Sequence, residues 1–129
     1  MICLDTHALL WWALAPEKLS VKARELCQQM EREKGYASSI SIWEIGVKIK
    51  NGSLDIGMDL NHFTRLLNQT QVLELVPVST EIWLHNLALD WAHRDPADRT
   101  IVATAQILDV PLLTKDKEIQ DFIPQKAIW

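Results

Sequence analysis

Four carboxylates stand where a folded chain of this kind would place ligand-binding groups. Asp5 closes the short apolar run Ile2-Cys3-Leu4, Glu44 lies in the first turns of the stretch Ser39 to Asn51, Asp98 follows Asp95-Pro96, and Asp116 follows Leu112-Leu113-Thr114. In open α/β sheets ligands bind beyond the carboxyl ends of the strands, so acids at strand ends and helix starts are placed for chemistry. Each also has a structural use. Asp5 and Asp116 can cap the helices after them, and Asp98 can be the reciprocal acid of a cap led by Asp95. Glu44 completes a capping box in Ser41-Ile42-Trp43-Glu44 and precedes Lys48 by one helical turn. The set says more than its members. Asp98 precedes Ile101 and Val102 by three and four residues, which puts it on their inward face, and Glu44 is enclosed by Ile40, Ile42, Trp43, Ile45 and Val47. No matching number of inward bases is visible. Clustered carboxylates raise one another's pKa, and a hard divalent cation removes that penalty. Mg²⁺ or Mn²⁺ suits an all-carboxylate site better than zinc, which would call for His or Cys ligands. His7, His62, His85 and His93 are dispersed without metal-ligand spacing and are expected at the surface or satisfied in the core. Only His7, beside Asp5, approaches the acids.

Strands alternating with helices would position these acids. Ile2 to Leu4 reads as a buried strand, and Thr6 to Ala15 as a helix stopped by Pro16. Ser20 caps a second helix, for which Gly35 supplies the stop, and a short strand runs through Tyr36 and Ala37. Ser39 to Asn51 repeats apolar residues at helical spacing, and Asp59 to Asn68 does so again. Val72 to Val78 reads as a strand and Thr80 to Trp91 as a helix, capped by Ser79 or Thr80. Asp95-Pro96 opens a helix to about Leu108 with Ile101, Val102, Ala105 and Leu108 inward. A strand at Leu112 to Thr114, a short helix from Asp116 and a last strand at Ala127 to Trp129 complete the series. No repeat or linker divides residues 1–129, so one α/β domain with a parallel sheet covered on both faces is expected.

Composition agrees with a single soluble domain. The chain has 129 residues, 48% hydrophobic and 23% charged, with 4 Gly and 5 Pro; that length builds a core without metal or disulfide staples. The formal net charge of −4 excludes a protein that holds nucleic acid by a broad basic surface, though not an enzyme that meets it locally. Cys3 and Cys27 form no C-x-x-C pair and are expected as reduced core residues in the cytoplasm. Met1 to Asp5 does not read as a signal peptide, and no apolar run reaches membrane-spanning length. Of the six tryptophans, adjacent Trp11 and Trp12 cannot both face inward on one helix, which assigns one to a protein interface.

Leu4-Asp5-Thr6, Ser41-Ile42-Trp43-Glu44, Asp95-Pro96-Ala97-Asp98-Arg99 with Ile101-Val102-Ala103-Thr104-Ala105, and Leu113-Thr114-Lys115-Asp116 together resemble a PIN domain, more narrowly a VapC-type toxin of a toxin–antitoxin pair. The resemblance covers essentially the whole chain. It implies a three-layer α/β/α sandwich around a parallel sheet and a metal-dependent endoribonuclease, usually homodimeric, blocked by a cognate antitoxin. By motif it assigns Asp5, Glu44, Asp98 and Asp116 to the metal and catalysis, with Thr6 and Thr114 as supporting hydroxyls. Asp95 matches the Asp-Pro turn of this subgroup. Carboxylate-held Mg²⁺ can activate water and neutralise the phosphoryl oxygens and leaving group of a phosphodiester. Lys48, Arg94, Arg99, Lys115 and Lys117 lie near the acids in sequence and can steer RNA phosphates, Lys48 and Arg99 foremost.

Two other readings start from the same residues. A phosphatase or phosphotransfer enzyme would also put Asp5 after the first strand, but a dehalogenase-like nucleophile expects a second Asp where His7 stands, and a receiver domain leaves Glu44 and Asp98 unexplained. A non-catalytic module could use the acids to receive a basic partner segment. No Gly-rich phosphate loop is present.

Overall fold

A computed structural model describes residues 1–129. The elements run β1 (Cys3–Leu4), α1 (Thr6–Leu14), a 3₁₀ turn (Pro16–Lys18), α2 (Val21–Glu33), β2 (Gly35–Ser38), α3 (Ile40–Lys50), α4 (Leu60–Gln69), β3 (Leu73–Val76), α5 (Thr80–Ala88), α6 (Pro96–Leu108), β4 (Leu112–Leu113), α7 (Lys117–Phe122) and β5 (Ala127–Ile128). All strand pairs are parallel, in the order β3-β2-β1-β4-β5, so the first strand made is the central one.

The alternation of strand side chains sorts the core into two layers. Leu4 and Leu113 join α1, α2, α3 and α4 in the larger cluster with Leu9, Met30, Ile45 and Phe63. Cys3 and Leu112 point the other way, to Ala97, Ile101, Val102 and Ala105 of α6 and Ile119 of α7. The three-layer α/β/α sandwich is therefore the observed fold. Both cysteines are buried, one in each layer. No helix is long and apolar enough to cross a membrane.

Short polar side chains start most of the helices. Asp5, Ser20, Asp59, Ser79, Asp95 and Asp116 each accept a backbone N–H from the first turn that follows, and Pro96 occupies the first turn of α6. Several boundaries shift from the sequence expectation by a residue or two, among them β3, β4 and β5, and two differences have a visible cause. The turn ending α2 falls to Lys34 at φ 71°, not Gly35, which lies in β2. Gly35 is needed there for space: a Cβ would sit 2.5 Å from Met30 Cγ and Sδ. Helix α5 stops at Ala88 instead of Trp91, because Arg99 draws off the backbone carbonyls beyond it, as described below.

Candidate metal centre

Sheet order puts the chain reversal between β1 and β4, where a crevice opens at the strand ends. Asp5 leaves β1 there and Thr114 and Asp116 leave β4, while β2 feeds α3 and its Glu44. The first turn of α6 adds Asp98. Asp5, Glu44, Asp98 and Asp116 meet around one cleft of about 180 Å³, also lined by Thr6, His7, Lys48 and Asp95, with no hydrophobic side chain in its wall.

Asp5 is the buried member, 5% exposed. Its Oδ1 accepts from Ala8 N at 2.8 Å, capping α1, and its Oδ2 accepts a short hydrogen bond from the Thr114 hydroxyl. Burial nevertheless pushes its pKa up to about 6, aided by the charges of Asp116 and Glu44 and opposed by those two hydrogen bonds. The capping box expected for Ser41 and Glu44 does not form. α3 starts at Ile40, Ser41 is buried against Thr6 Oγ1 at 2.8 Å, and the same Thr6 hydroxyl donates to Glu44 Oε1 at 2.6 Å. Glu44 Oε2 lies 3.5 Å from Lys48 Nζ, the one Lys or Arg side chain in the cleft wall. Asp116 caps α7 through Ile119 N at 3.1 Å and is exposed on its other side.

Asp98 has a partner that its sequence neighbourhood did not reveal. His93 Nε2 lies 2.8 Å from Asp98 Oδ2, and His93 Nδ1 contacts Glu118 of α7. Burial raises Asp98 to about 6 against the effect of this hydrogen bond; the bond, with the surrounding acids, raises His93 above its ordinary value. Potential ligand atoms of His93, Asp95 and Asp98 all lie within 4.8 Å of one another. Nothing in the sequence marks His93 for this contact, because the irregular segment before Asp95 that turns it back onto α6 carries no periodic signal.

Arg99 is corrected outright. Expected to face RNA phosphates, its guanidinium instead donates to the carbonyls of Asn86, Leu89, Trp91 and His93 and to Asn86 Oδ1, at 2.6 to 3.2 Å. A guanidinium has five N–H donors, so none remains for substrate. Arg99 pins the segment that delivers His93, while Trp91 stacks on Phe122 at 4.5 Å. Arg99→Ala should therefore lower stability by about 3 kcal/mol, since it strands several carbonyls. Arg99→Lys should recover only a fraction, having one point charge for five directed donors. Urea melts of the two variants check this; equal loss in both directions below 1 kcal/mol, on the order of one exposed hydrogen bond, would remove the clamp.

Oxygen donors dominate the cleft, and the Asp5 and Asp98 carboxylates are held toward their neutral forms by burial. That donor set fits a hard divalent cation, which lowers carboxylate pKa values and removes the mutual repulsion.

A parallel α/β/α sandwich with acids at the ends of its central strands matches one family model, the PIN domain, over residues 2–122, and the chain belongs to that family. Among solved structures it is similar to FitAcB from Neisseria gonorrhoeae, at TM-score 0.70 and 19% identity, covering 100% of this chain and 97% of that one. VapBC2 from Rickettsia felis, bound to a DNA fragment from their promoter, matches at TM-score 0.70 and 16% identity over 100% and 99% of the two chains. A toxin–antitoxin complex from Klebsiella pneumoniae matches at TM-score 0.64 and 19% identity over 100% and 97%. No curated protein matches.

Proposed function

We propose that the chain is a metal-dependent endoribonuclease that hydrolyses RNA phosphodiester bonds with Mg²⁺ or Mn²⁺, and that it acts as the toxin of a toxin–antitoxin pair. The observation that carries this reading is the convergence of Asp5, Glu44, Asp98 and Asp116, from four separate elements, on one wholly polar cleft. Structural similarity to a toxin–antitoxin complex supports the biological role.

Asp5, Glu44 and Asp98 would hold the metal, with Asp116 completing or orienting the set. Bound there, the cation supplies a more acidic water and neutralises charge on the phosphoryl and leaving oxygens. The protein's part is orientation. Thr114 and Ala8 fix both oxygens of Asp5 and still leave each a lone pair for the cleft. Thr6 fixes one oxygen of Glu44, and His93 fixes one of Asp98. Lys48 Nζ, beside Glu44, is placed to meet a substrate phosphate as it enters. A nucleophilic Asp5 explains less: both its oxygens already hold structural hydrogen bonds, and Glu44 and Asp98 would have no work.

Purified chain should cleave RNA with Mg²⁺ or Mn²⁺ and stop when EDTA is added. Undiminished turnover after exhaustive chelation overturns the metal mechanism. RNA left uncut under every metal condition, by a protein that still captures a basic peptide, would favour the non-catalytic module.

Two apolar surfaces suit protein partners. Trp12, Leu14, Met58, Phe63 and Leu66 line a groove between α1 and α4, which we assign to an antitoxin segment. Trp43 of α3 and Trp83 of α5, exposed at 60% and 43%, border another with Ile40 and Val78; a second copy of the chain would cover it. Light scattering of the chain alone and after co-expression with its neighbouring gene reads both assignments. A monomer that captures no product of that gene would remove them.

A further inference from the structure

Trp11 and Trp12 both pack partly against the larger core cluster, contrary to the expectation that only one would turn inward, yet they open onto different surfaces. Trp12 borders the apolar groove already assigned, whereas Trp11 lines a larger cavity of about 710 Å³ that has His7, Lys18 and Lys48 in its wall. His7 and Lys48 also line the acidic cleft, so the two cavities adjoin. His7 and Trp11 are one helical turn apart on α1, their ring centroids 5.5 Å apart, and form an aromatic strip leading away from Asp5. Trp11 lies about 9 Å along the helix axis from Asp5, at 1.5 Å per residue. Lys115, between Thr114 and Asp116 in sequence, holds its Nζ 5.7 Å from the Trp11 ring centroid.

Charge distinguishes this cavity from its neighbour. On a chain of net charge −4, Lys18, Lys48 and Lys115 gather around Trp11 against a single lining acid, Asp55. An aromatic platform flanked by lysines is the pattern that holds single-stranded nucleic acid: bases stack on the ring and ammonium groups follow the phosphates. An apolar protein segment would be served better by the Trp12 groove, whose one charged lining residue is Glu31.

Building on the ribonuclease reading, we propose that the Trp11 cavity is the substrate subsite for single-stranded RNA: a base flanking the scissile phosphate stacks on Trp11, and Lys18, Lys48 and Lys115 hold the adjoining phosphates. Stacking is indifferent to base identity, so this subsite selects unpaired strand over duplex without choosing a sequence.

The test uses the Glu44→Gln chain with Mg²⁺ as a binding-only parent, and a fluorescein-labelled oligouridylate as probe. Fluorescence anisotropy should show Trp11→Ala weakening binding roughly tenfold or more, Trp11→Phe retaining most of it, and Trp12→Ala changing nothing. An abasic ribose-phosphate oligomer of equal length should bind the parent and the Trp11→Ala form alike. Lys18→Ala and Lys115→Ala, both at exposed positions, should weaken both probes and lower the salt dependence of binding. Trp11→Ala binding oligouridylate as the parent does, or Trp12→Ala losing as much, overturns the subsite. So does abasic oligomer losing affinity equally, because the ring would then act only through its packing on the core and on Trp129, whose ring centroid lies 5.6 Å away. RNA cleavage that persists in the native chain alongside any of these results leaves the ribonuclease reading standing; absence of both cleavage and binding ends both.

Discussion

Asp5→Asn and Glu44→Gln should each lower RNA turnover by two or more orders of magnitude while leaving the protein folded. Each substitution keeps shape and removes a charged oxygen ligand, and losses of this size follow removal of one preorganised electrostatic group from an active site. For Asp5 the stability effect has a definite sign. Its pKa is about 6 in the fold against 3.8 for the ordinary group. Between those values the folded state binds more protons than the unfolded one, so stability falls as pH rises from about 4 to 6, and the penalty stays in full above that. Two units correspond to about 3 kcal/mol at most. His93, raised by its bond to Asp98, tilts the curve the same way: its contribution is present at low pH and lost as it deprotonates. EDTA-treated protein should therefore melt higher at pH 5 than at pH 7.5, and Asp5→Asn should shrink the difference. Mn²⁺ at pH 7.5 should restore stability to the native chain and do less for Asp5→Asn. Collapse of both variants at every pH would mean that the helix cap and the Thr114 bond are the main use of Asp5.

The second large effect separates two acids three residues apart. Asp95 caps α6 through Asp98 N at 3.0 Å, whereas the Asp98 side chain turns to His93 and the cleft. Asn caps nearly as well as Asp, so Asp95→Asn should keep stability and most activity, and Asp95→Ala should cost about 1 kcal/mol. Asp98→Asn should abolish cleavage with little loss of stability, because burial already disfavours its charge. Thermal melts and RNA turnover of the three variants side by side read the division. Since Asp95 also lines the cleft, an inactive but stably folded Asp95→Asn would place it in the metal shell and refute the separation.

The architecture was legible because each element carried local marks. Asp5, Ser20, Asp59, Ser79, Asp95 and Asp116 all announce helix starts, and short apolar runs such as Leu112-Leu113 are too brief for anything but buried strand. The four acids could be singled out by position: Asp5 and Asp116 follow apolar runs at strand ends, and Glu44 and Asp98 stand among or on the face of apolar helix residues. Arg99 misled because its charge is visible in sequence and its acceptors are not. They are backbone carbonyls, which every residue has. His93 escaped because its partners, Asp98 and Glu118, meet it only after an irregular segment folds back. Glu44 was half legible: its inward position could be inferred, but its donor is Thr6 on another helix, not Ser41 on its own.

The hydrogen bond between Thr114 and Asp5 joins residues 109 apart in sequence, across the seam of β1 and β4. Such a bond has no local precursor. Closing so long a loop is entropically costly, and pairings distant in sequence slow folding relative to local ones. Until β4 docks beside β1, Asp5 lacks its Thr114 donor. The acidic cleft is therefore assembled only when distant parts of the chain meet. On the proposed ribonuclease reading, a chain without docked β4 should leave RNA uncut, and the appearance of activity during refolding would time the docking of β4 against the central strand.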